Sequence, residues 1–417
     1  MFEKFFDLSG SGPGRVRVLR SRRHGSLLES FSDALFHSRY ANITARRHLR
    51  SAEHFTNWAN DGGTRLPQWD NRALDRFRYH LRQRRCSYGH AAPENQLTGA
   101  SLFLKHLRAS DVIRTPPADP TVGPALLVSF RCWMREERGT LDTSLRNYDI
   151  PICQLLKHVG EDLKRLDAVA VRRCFLKYCD GRGHETIRHA ATALRMFLRF
   201  LISDGRCPPG LESAIPVVPH WRLSSLPRYL QPDEVERIVA SCDTHVSVGR
   251  RDRAILLLLA RLGLRAGDIV QMRLSDIDWK DAWVQVCGKG RRQTRLPLTQ
   301  EVGDAIVGYL QDGRPPTEDD RLFVCCRAPF RPFTSHAAVS VIVSSAMSRA
   351  GVTPQTRGAA HLLRHSVATS LLREGVSLQD IATLLRHRSV QTTQIYAKVD
   401  VVALNQVVQA WPEVRSC

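Results

Sequence analysis

Tyr396 closes a stretch that reads Leu385-Arg386-His387-Arg388-Ser389 and then Thr392-Thr393-Gln394-Ile395-Tyr396. Upstream, His361-Leu362-Leu363-Arg364-His365 adds two more imidazoles and another guanidinium. A phenol is a poor nucleophile at neutral pH because its pKa is about 10. It becomes useful when a neighbour takes its proton and the electrophile is a phosphate held by fixed positive charge. That combination points to covalent attack on a nucleic-acid backbone.

Two further pieces lie N-terminal to these. Leu264-Arg265-Ala266-Gly267-Asp268 follows an apolar run, and Gly288-Lys289-Gly290 supplies turn residues between two strand-like segments. Singly, each piece has a plain structural explanation. Arg265 suits a helix end, a turn lysine is usually solvated, and His361 and Arg364 share a helix face as many surface pairs do. A tyrosine near a C-terminus is more often core than catalytic.

Together the pieces resemble the tyrosine recombinase (phage integrase) family. Its pattern is an Arg after an apolar helix, a Lys in a β-turn, His-x-x-Arg, a second His or Trp, and then Tyr. Arg265, Lys289, His361, Arg364, His387 and Tyr396 match it in type and order. The spacings fit too: 24 residues from Arg265 to Lys289, 23 from Arg364 to His387 and nine from His387 to Tyr396. Lys289 is one of only eight lysines, which weighs against coincidence. The match is strong over residues 222–400, while residues 121–205 resemble the family's core-binding domain by pattern only. Two positions depart from it: Arg386 stands where the family commonly has Gly, and Asp268 where Glu is frequent.

The resemblance implies that Tyr396 attacks the scissile phosphate, displaces the 5′-hydroxyl and leaves a 3′-phosphotyrosyl link that keeps the bond energy for rejoining. Arg265 and Arg364 would bind the non-bridging oxygens and His387 would add a third donor. Lys289 would protonate the leaving oxygen, and His361 would accept or guide the Tyr396 proton. His365 is expected to be a packing or supporting residue. The reading calls for no metal and no cofactor, since two arginines supply the positive charge. The implied partner is double-stranded DNA, bound by a homotetramer across two sites, alone or with partner recombinases. The apolar stretch Val401 to Val408 is expected to dock on a neighbouring subunit.

Composition agrees with a polyanion partner. Against 61 Lys and Arg stand 41 Asp and Glu, a net charge of +20, and neutralising phosphates releases counterions. Ribosomal and membrane-surface proteins share such a charge. No apolar run is long enough to span a bilayer, and the opening Met1-Phe2-Glu3-Lys4-Phe5-Phe6-Asp7 lacks the order of a signal peptide, so a soluble, cytoplasmic protein is expected. Eleven cysteines without a secretory signal read as reduced, mostly buried thiols. Cys174, Cys179, His184 and His189 fall at five-residue steps, which match no common zinc pattern.

The expected fold is mainly α with a small β-sheet: helical N-terminal DNA-binding domains followed by an α+β catalytic domain. Residues 1–25, with Arg15, Arg17, Arg20, Arg22 and Arg23 after a Gly-rich run, read as a flexible basic arm. Residues 26–118 form a helical block with Leu27, Leu28, Phe31, Leu35 and Phe36 on one face, and residues 119–207 a second. Phe31, Thr44 and Arg47 lie 99 residues before Phe130, Thr143 and Arg146, and Ala73 and Phe77 lie 98 before Val171 and Phe175. A duplicated helical module is the reading. Prolines mark residues 208–228 as a linker. The catalytic domain, 229–417, opens with a helix at Pro232 and an apolar helix closing near Gly263. Ile277 to Val286 alternates as one strand, Thr294 to Leu298 returns, and helices cover about 300–311, 336–350, 361–374, 378–386 and 391–396.

The favoured function is a site-specific recombinase acting in integration, excision or transposition of a mobile element. Type IB topoisomerase-like relaxation shares the same chemistry. A non-catalytic DNA-binding regulator is the other alternative, and six intact residues argue against it.

Overall fold

A computed structural model describes residues 2–6, 12–83, 92–114, 124–160, 163, 166–219, 226–287, 293–353, 358–387 and 389–399. The chain divides into two compact units, one of Met1–Ile113 with Leu223–Cys417 and one of Arg114–Arg222. In the first, the described residues of the expected basic arm are folded. A 3-10 turn at Phe2–Lys4 sets Phe2, Phe5 and Phe6 into a core with Val16 and Leu19 of α1 (Gly12–Ser21). Three of its arginines find carboxylates: Arg20 lies 2.7 Å from Glu3 and 2.6 Å from Glu29, and Arg15 and Arg22 both pair with Glu53. Three phenylalanines bury enough apolar surface to offset the ordering entropy of a short segment, which the arginine-rich reading overlooked. Helices α2 (Gly25–His37), α3 (Asn42–Asp61), α4 (Asn71–Arg82) and α5 (Pro93–Ala109) complete this block. At its centre Phe31 meets Phe103 edge-on at 5.2 Å, and Phe55 meets Phe77 at 5.3 Å.

The second unit repeats that plan with α6 (Ala125–Glu136), α7 (Asp142–Val159), α8 (Ala168–Cys179) and α9 (His184–Ser203). Phe130, Val171 and Phe175 are buried like Phe31, Ala73 and Phe77. Helices α4 and α8, at matching places in the two blocks, each open on an aspartate cap. Asp70 accepts from the Ala73 amide at 2.8 Å, and Asp167 from the Ala170 amide at 2.7 Å. These parallels support a duplicated module. Part of the expected linker belongs to this unit: Leu211, Ala214 and Ile215 are in its core, and Arg195 donates to the Ile215 and Pro216 carbonyls at 3.2 and 2.7 Å. The prolines stop helix there without stopping burial.

The rest of the first unit holds α10 (Pro232–Ala240), α11 (Ser247–Leu262), α12 (Ala266–Gln271), a three-stranded antiparallel sheet, and then α13 (Gln300–Asp312), α14 (His336–Arg349), α15 (Ala359–Arg373) and α16 (Leu378–Leu384). Residues 254–260 of α11 are buried all round, so this helix is the spine of the core. The strands are β1 (Ile277–Asp278), β2 (Trp283–Cys287) and β3 (Gln293–Pro297). The single strand expected over Ile277 to Val286 is therefore two strands and a turn. The Asp278 carboxylate accepts from the Lys280 and Asp281 amides, both at 3.1 Å, and Ala282 takes a φ of 54°. This local side-chain bond turns the chain while the apolar alternation runs on through it. Short 3-10 turns at Val390–Thr392 and Gln394–Val399 follow α16.

Candidate active site

The site is built where three chain segments meet: the α11–α12 junction, one face of α15 and the turns after α16. Gly263 ends α11 with a φ of 57°, a left-handed conformation that glycine adopts without steric cost. A Cβ there would lie 2.7 Å from Leu385 Cδ2, so the glycine also lets the turn after α16 approach. Arg265 follows at the start of α12, its amide bonded at 2.8 Å to Asp268 Oδ2.

On α15, His361, Arg364 and His365 occupy positions i, i+3 and i+4 of one face. The buried Arg364 guanidinium donates to the carbonyls of Gly263 and Leu385, tying α15 to both other segments. Arg265 Nη2 donates to the Arg386 carbonyl at 3.1 Å and more loosely to that of Leu385 at 3.4 Å. Both guanidinium groups thus converge on the backbone just before His387. His387 Nδ1 lies 2.7 Å from the hydroxyl of the buried Thr393.

Tyr396 is 1% exposed, and its hydroxyl lies 2.7 Å from Nδ1 of His365. The imidazole in contact with the Tyr396 hydroxyl is thus His365, whereas the resemblance gives the Tyr396 proton to His361. His361 is exposed one helical turn away, with its ring 6.4 Å from that of His365. Both lie on the same face of α15, but the turn Gln394–Val399 comes over the later one. His365, expected as a packing or supporting residue, thus lies directly beside the Tyr396 hydroxyl.

The electrostatics follow from burial amid positive charge. Burial pushes the Tyr396 hydroxyl up to about 12, against an opposing pull from Arg364. Burial, then the charges of His361 and Arg364, bring His365 down to about 4. His387 falls to about 4 through burial and the nearby Arg364 and Arg265. Arg364 itself is lowered to about 9 by burial and by Arg265 and Arg386. Both imidazoles are thus neutral at pH 7, and the guanidinium groups carry the charge.

The structure gathers Arg265, His361, Arg364, His387 and Tyr396 into one neighbourhood. Lys289 lies outside the described residues, as does the stretch from Val401 to Val408. Thr393 and the pairing of Arg386 with Asp268 were not anticipated; the one available signal was a charged side chain near the site at a position where glycine is usual. Among the described residues, no group of three or more His, Cys, Asp or Glu side chains is placed to hold a metal, and no helix is long and apolar enough to cross a membrane.

Comparison with known proteins decides the family. The model of the phage integrase family matches residues 228–402. The protein named "Putative integrase/recombinase y4rA" of Sinorhizobium fredii is 32% identical over 386 residues, 92% of this chain and 93% of that protein. The chain belongs to the phage integrase family. Among further relatives, the tyrosine recombinase XerD of Listeria innocua is 29% identical over 293 residues, covering 68% of this chain and 96% of XerD.

Two solved structures of this family share the fold. The XerH site-specific recombinase bound to palindromic difH substrate, a post-cleavage complex, has a TM-score of 0.56 at 19% identity, covering 82% of this chain and 94% of that one. A lambda integrase (75–356) dimer bound to a COC′ core site has a TM-score of 0.51 at 19% identity, covering 64% and 95%. The mainly helical fold with its small sheet is that of the tyrosine recombinases. Membership places the chain among the enzymes of site-specific DNA recombination.

Proposed function

We propose that this integrase-family chain cleaves and rejoins DNA through a 3′-phosphotyrosyl intermediate, in the integration, excision or transposition of a mobile element. The observation that carries the proposal is the Tyr396 hydroxyl held 2.7 Å from a neutral His365, beside Arg364. The Tyr396 oxygen attacks the scissile phosphorus and its proton passes to His365. The bond from phosphorus to the 5′-oxygen breaks, and Lys289 gives that oxygen a proton. Charge gathering on the non-bridging oxygens is met by Arg265, Arg364 and His387, donors of the kind worth orders of magnitude in rate. Each broken diester is replaced by one ester to tyrosine, so the reverse reaction needs no external energy.

A phosphate cannot reach a tyrosine that is 1% exposed. Attack therefore requires the short turn at Gln394–Val399 to shift when DNA binds. Double-stranded DNA is the substrate, and exchange between two sites calls for an assembly of subunits, which we take to be a homotetramer.

The test uses duplexes from the ends of the host element, nicked beside candidate cleavage points so that the released strand diffuses away. A covalent protein–DNA product that is absent with Tyr396→Phe, followed by exchange between two intact sites, supports the proposal. Relaxation of any supercoiled plasmid without exchange would favour topoisomerase-like action. DNA binding with no adduct on any end sequence would favour a non-catalytic regulator.

A further inference from the structure

Arg386 occupies an unusual position in the turn that ends α16. Its amide donates to the Thr383 carbonyl at 3.0 Å, and the His387 amide donates to that of Ala382 at 2.9 Å. This pair of bonds is the Schellman ending of a helix, whose left-handed residue is usually glycine. Arg386 takes that conformation with a φ of 55°. A side chain is tolerated here at a steric cost.

The side chain does not escape to solvent. It is 7% exposed and pairs through Nη2 with Asp268 Oδ2 at 2.7 Å, a carboxylate whose side chain is also 7% exposed. The other two nitrogens, Nε and Nη1, are buried with no acceptor among the described residues. Buried donors without partners are rare because desolvation is not repaid. Arg386 also sits close enough to Arg265, Arg364 and His387 for its charge to lower the pKa of each. Three guanidinium groups therefore share one described carboxylate, Asp268, which already accepts from the Arg265 amide. The cluster carries more positive than negative charge, and two Arg386 donors have no acceptor among the described residues; a phosphodiester supplies both charge and acceptors.

We propose that Arg386 is a third phosphate-binding guanidinium of this site, engaging the non-bridging oxygens of the scissile phosphate beside Arg265 and Arg364. The inference rests on the phosphotyrosyl reading above. When the Tyr396 turn shifts to admit DNA, Nε and Nη1 find the oxygens they lack, and Asp268 keeps the fork oriented through Nη2. A merely structural Arg386 would instead serve only to clamp the start of α12 to the turn after α16.

The experiment compares the wild type, Arg386→Gly and Arg386→Lys as full-length proteins. Glycine suits the left-handed turn, so the first variant removes the side chain without adding backbone strain. Inorganic phosphate, which requires no knowledge of the DNA site, is titrated while thermal unfolding is followed. Each variant is compared with its own phosphate-free midpoint. Phosphate should raise the wild-type midpoint more than that of Arg386→Gly, with Arg386→Lys between them, because lysine keeps the charge and loses the fork.

On the nicked duplex that gives the Tyr396 adduct, Arg386→Gly should cleave about 10- to 100-fold more slowly. The loss should shrink when the scissile phosphate is replaced by a neutral methylphosphonate, which lacks the charge that Arg386 meets. Equal phosphate response in all three proteins, or an equal loss on both duplexes, would overturn the proposal and leave Arg386 as a clamp. Failure of the wild type itself to form an adduct would count against the phosphotyrosyl reading, while the phosphate titration still decides the role of Arg386.

Discussion

The Tyr396 hydroxyl and Nδ1 of His365 lie 2.7 Å apart, joining the turn Gln394–Val399 to the middle of α15. His365 titrates near 4, well below the 6.5 of a free imidazole, while Tyr396 is raised to about 12. At neutral pH the pair is an uncharged phenol beside an uncharged acceptor. Cleavage should therefore be insensitive to His365 titration above pH 6 and should fall as the pH approaches 4. A pH–rate profile of adduct formation, with a descending acid limb that His365→Gln removes, checks this.

The same depressed values set a pH dependence of stability. Between the unfolded value of 6.5 and the folded value of about 4, the unfolded chain binds protons that His365 and His387 in the folded chain do not. Stability therefore rises with pH across that window: it is fully present above about 6.5 and is lost as pH falls towards 4. Denaturation midpoints of wild type and of a His365→Gln, His387→Gln double variant should differ in slope between pH 4 and 6.5. Identical slopes would show that neither imidazole is buried neutral.

The two histidines of α15 should separate kinetically. His365→Ala is expected to slow adduct formation by about 10²- to 10⁴-fold, the usual contribution of a positioned base. His361→Ala should cost less, because the exposed His361 is not the imidazole in contact with the Tyr396 hydroxyl. Single-turnover cleavage by both variants tests the order. A larger loss from His361→Ala would return the proton to the residue first favoured by the sequence.

Gly263→Ala probes the joint between α11 and the turn after α16. The substitution forces a side chain into a φ of 57° and towards Leu385 Cδ2. A loss of about 1–2 kcal/mol is expected from the backbone conformation alone. Urea denaturation should show a lower midpoint with an unchanged slope. Cleavage should slow as well, since the Gly263 and Leu385 carbonyls both receive Arg364.

Lys289 is assigned to the leaving group, so its loss should matter only when that group needs a proton. Lys289→Ala should slow cleavage of ordinary DNA and largely spare a duplex with a 5′-thiolate leaving group, which departs unprotonated. Equal loss on both duplexes would count against the general-acid role.

Much of this site was legible because its chemistry is carried by residue type and local spacing. Arg265 follows an apolar helix, and His361 and Arg364 share a face, wherever α15 lies in space. Which of His361 and His365 contacts the Tyr396 hydroxyl was not legible, because both project from that face and only the path of Gln394–Val399 brings the hydroxyl to His365. The N-terminal segment was misread for a related reason. Five arginines dominated its composition, while its order comes from Phe2, Phe5 and Phe6 packing on Val16 and Leu19. Strand alternation likewise ran across the turn at Asp278, whose carboxylate caps two amides that a periodicity count does not register. The buried course of Arg386 depends on Asp268, more than a hundred residues earlier in the chain.

The central claim is that Tyr396 becomes covalently joined to a 3′-phosphate of DNA. It is tested most directly by trapping the product on a nicked element-end duplex, digesting it and sequencing the DNA-bearing peptide by mass spectrometry. The account predicts a single modified residue, Tyr396, with a free 5′-hydroxyl on the released strand and no product from Tyr396→Phe. A linkage to another residue, a 5′-phosphate on the released strand, or undiminished adduct from Tyr396→Phe would contradict it.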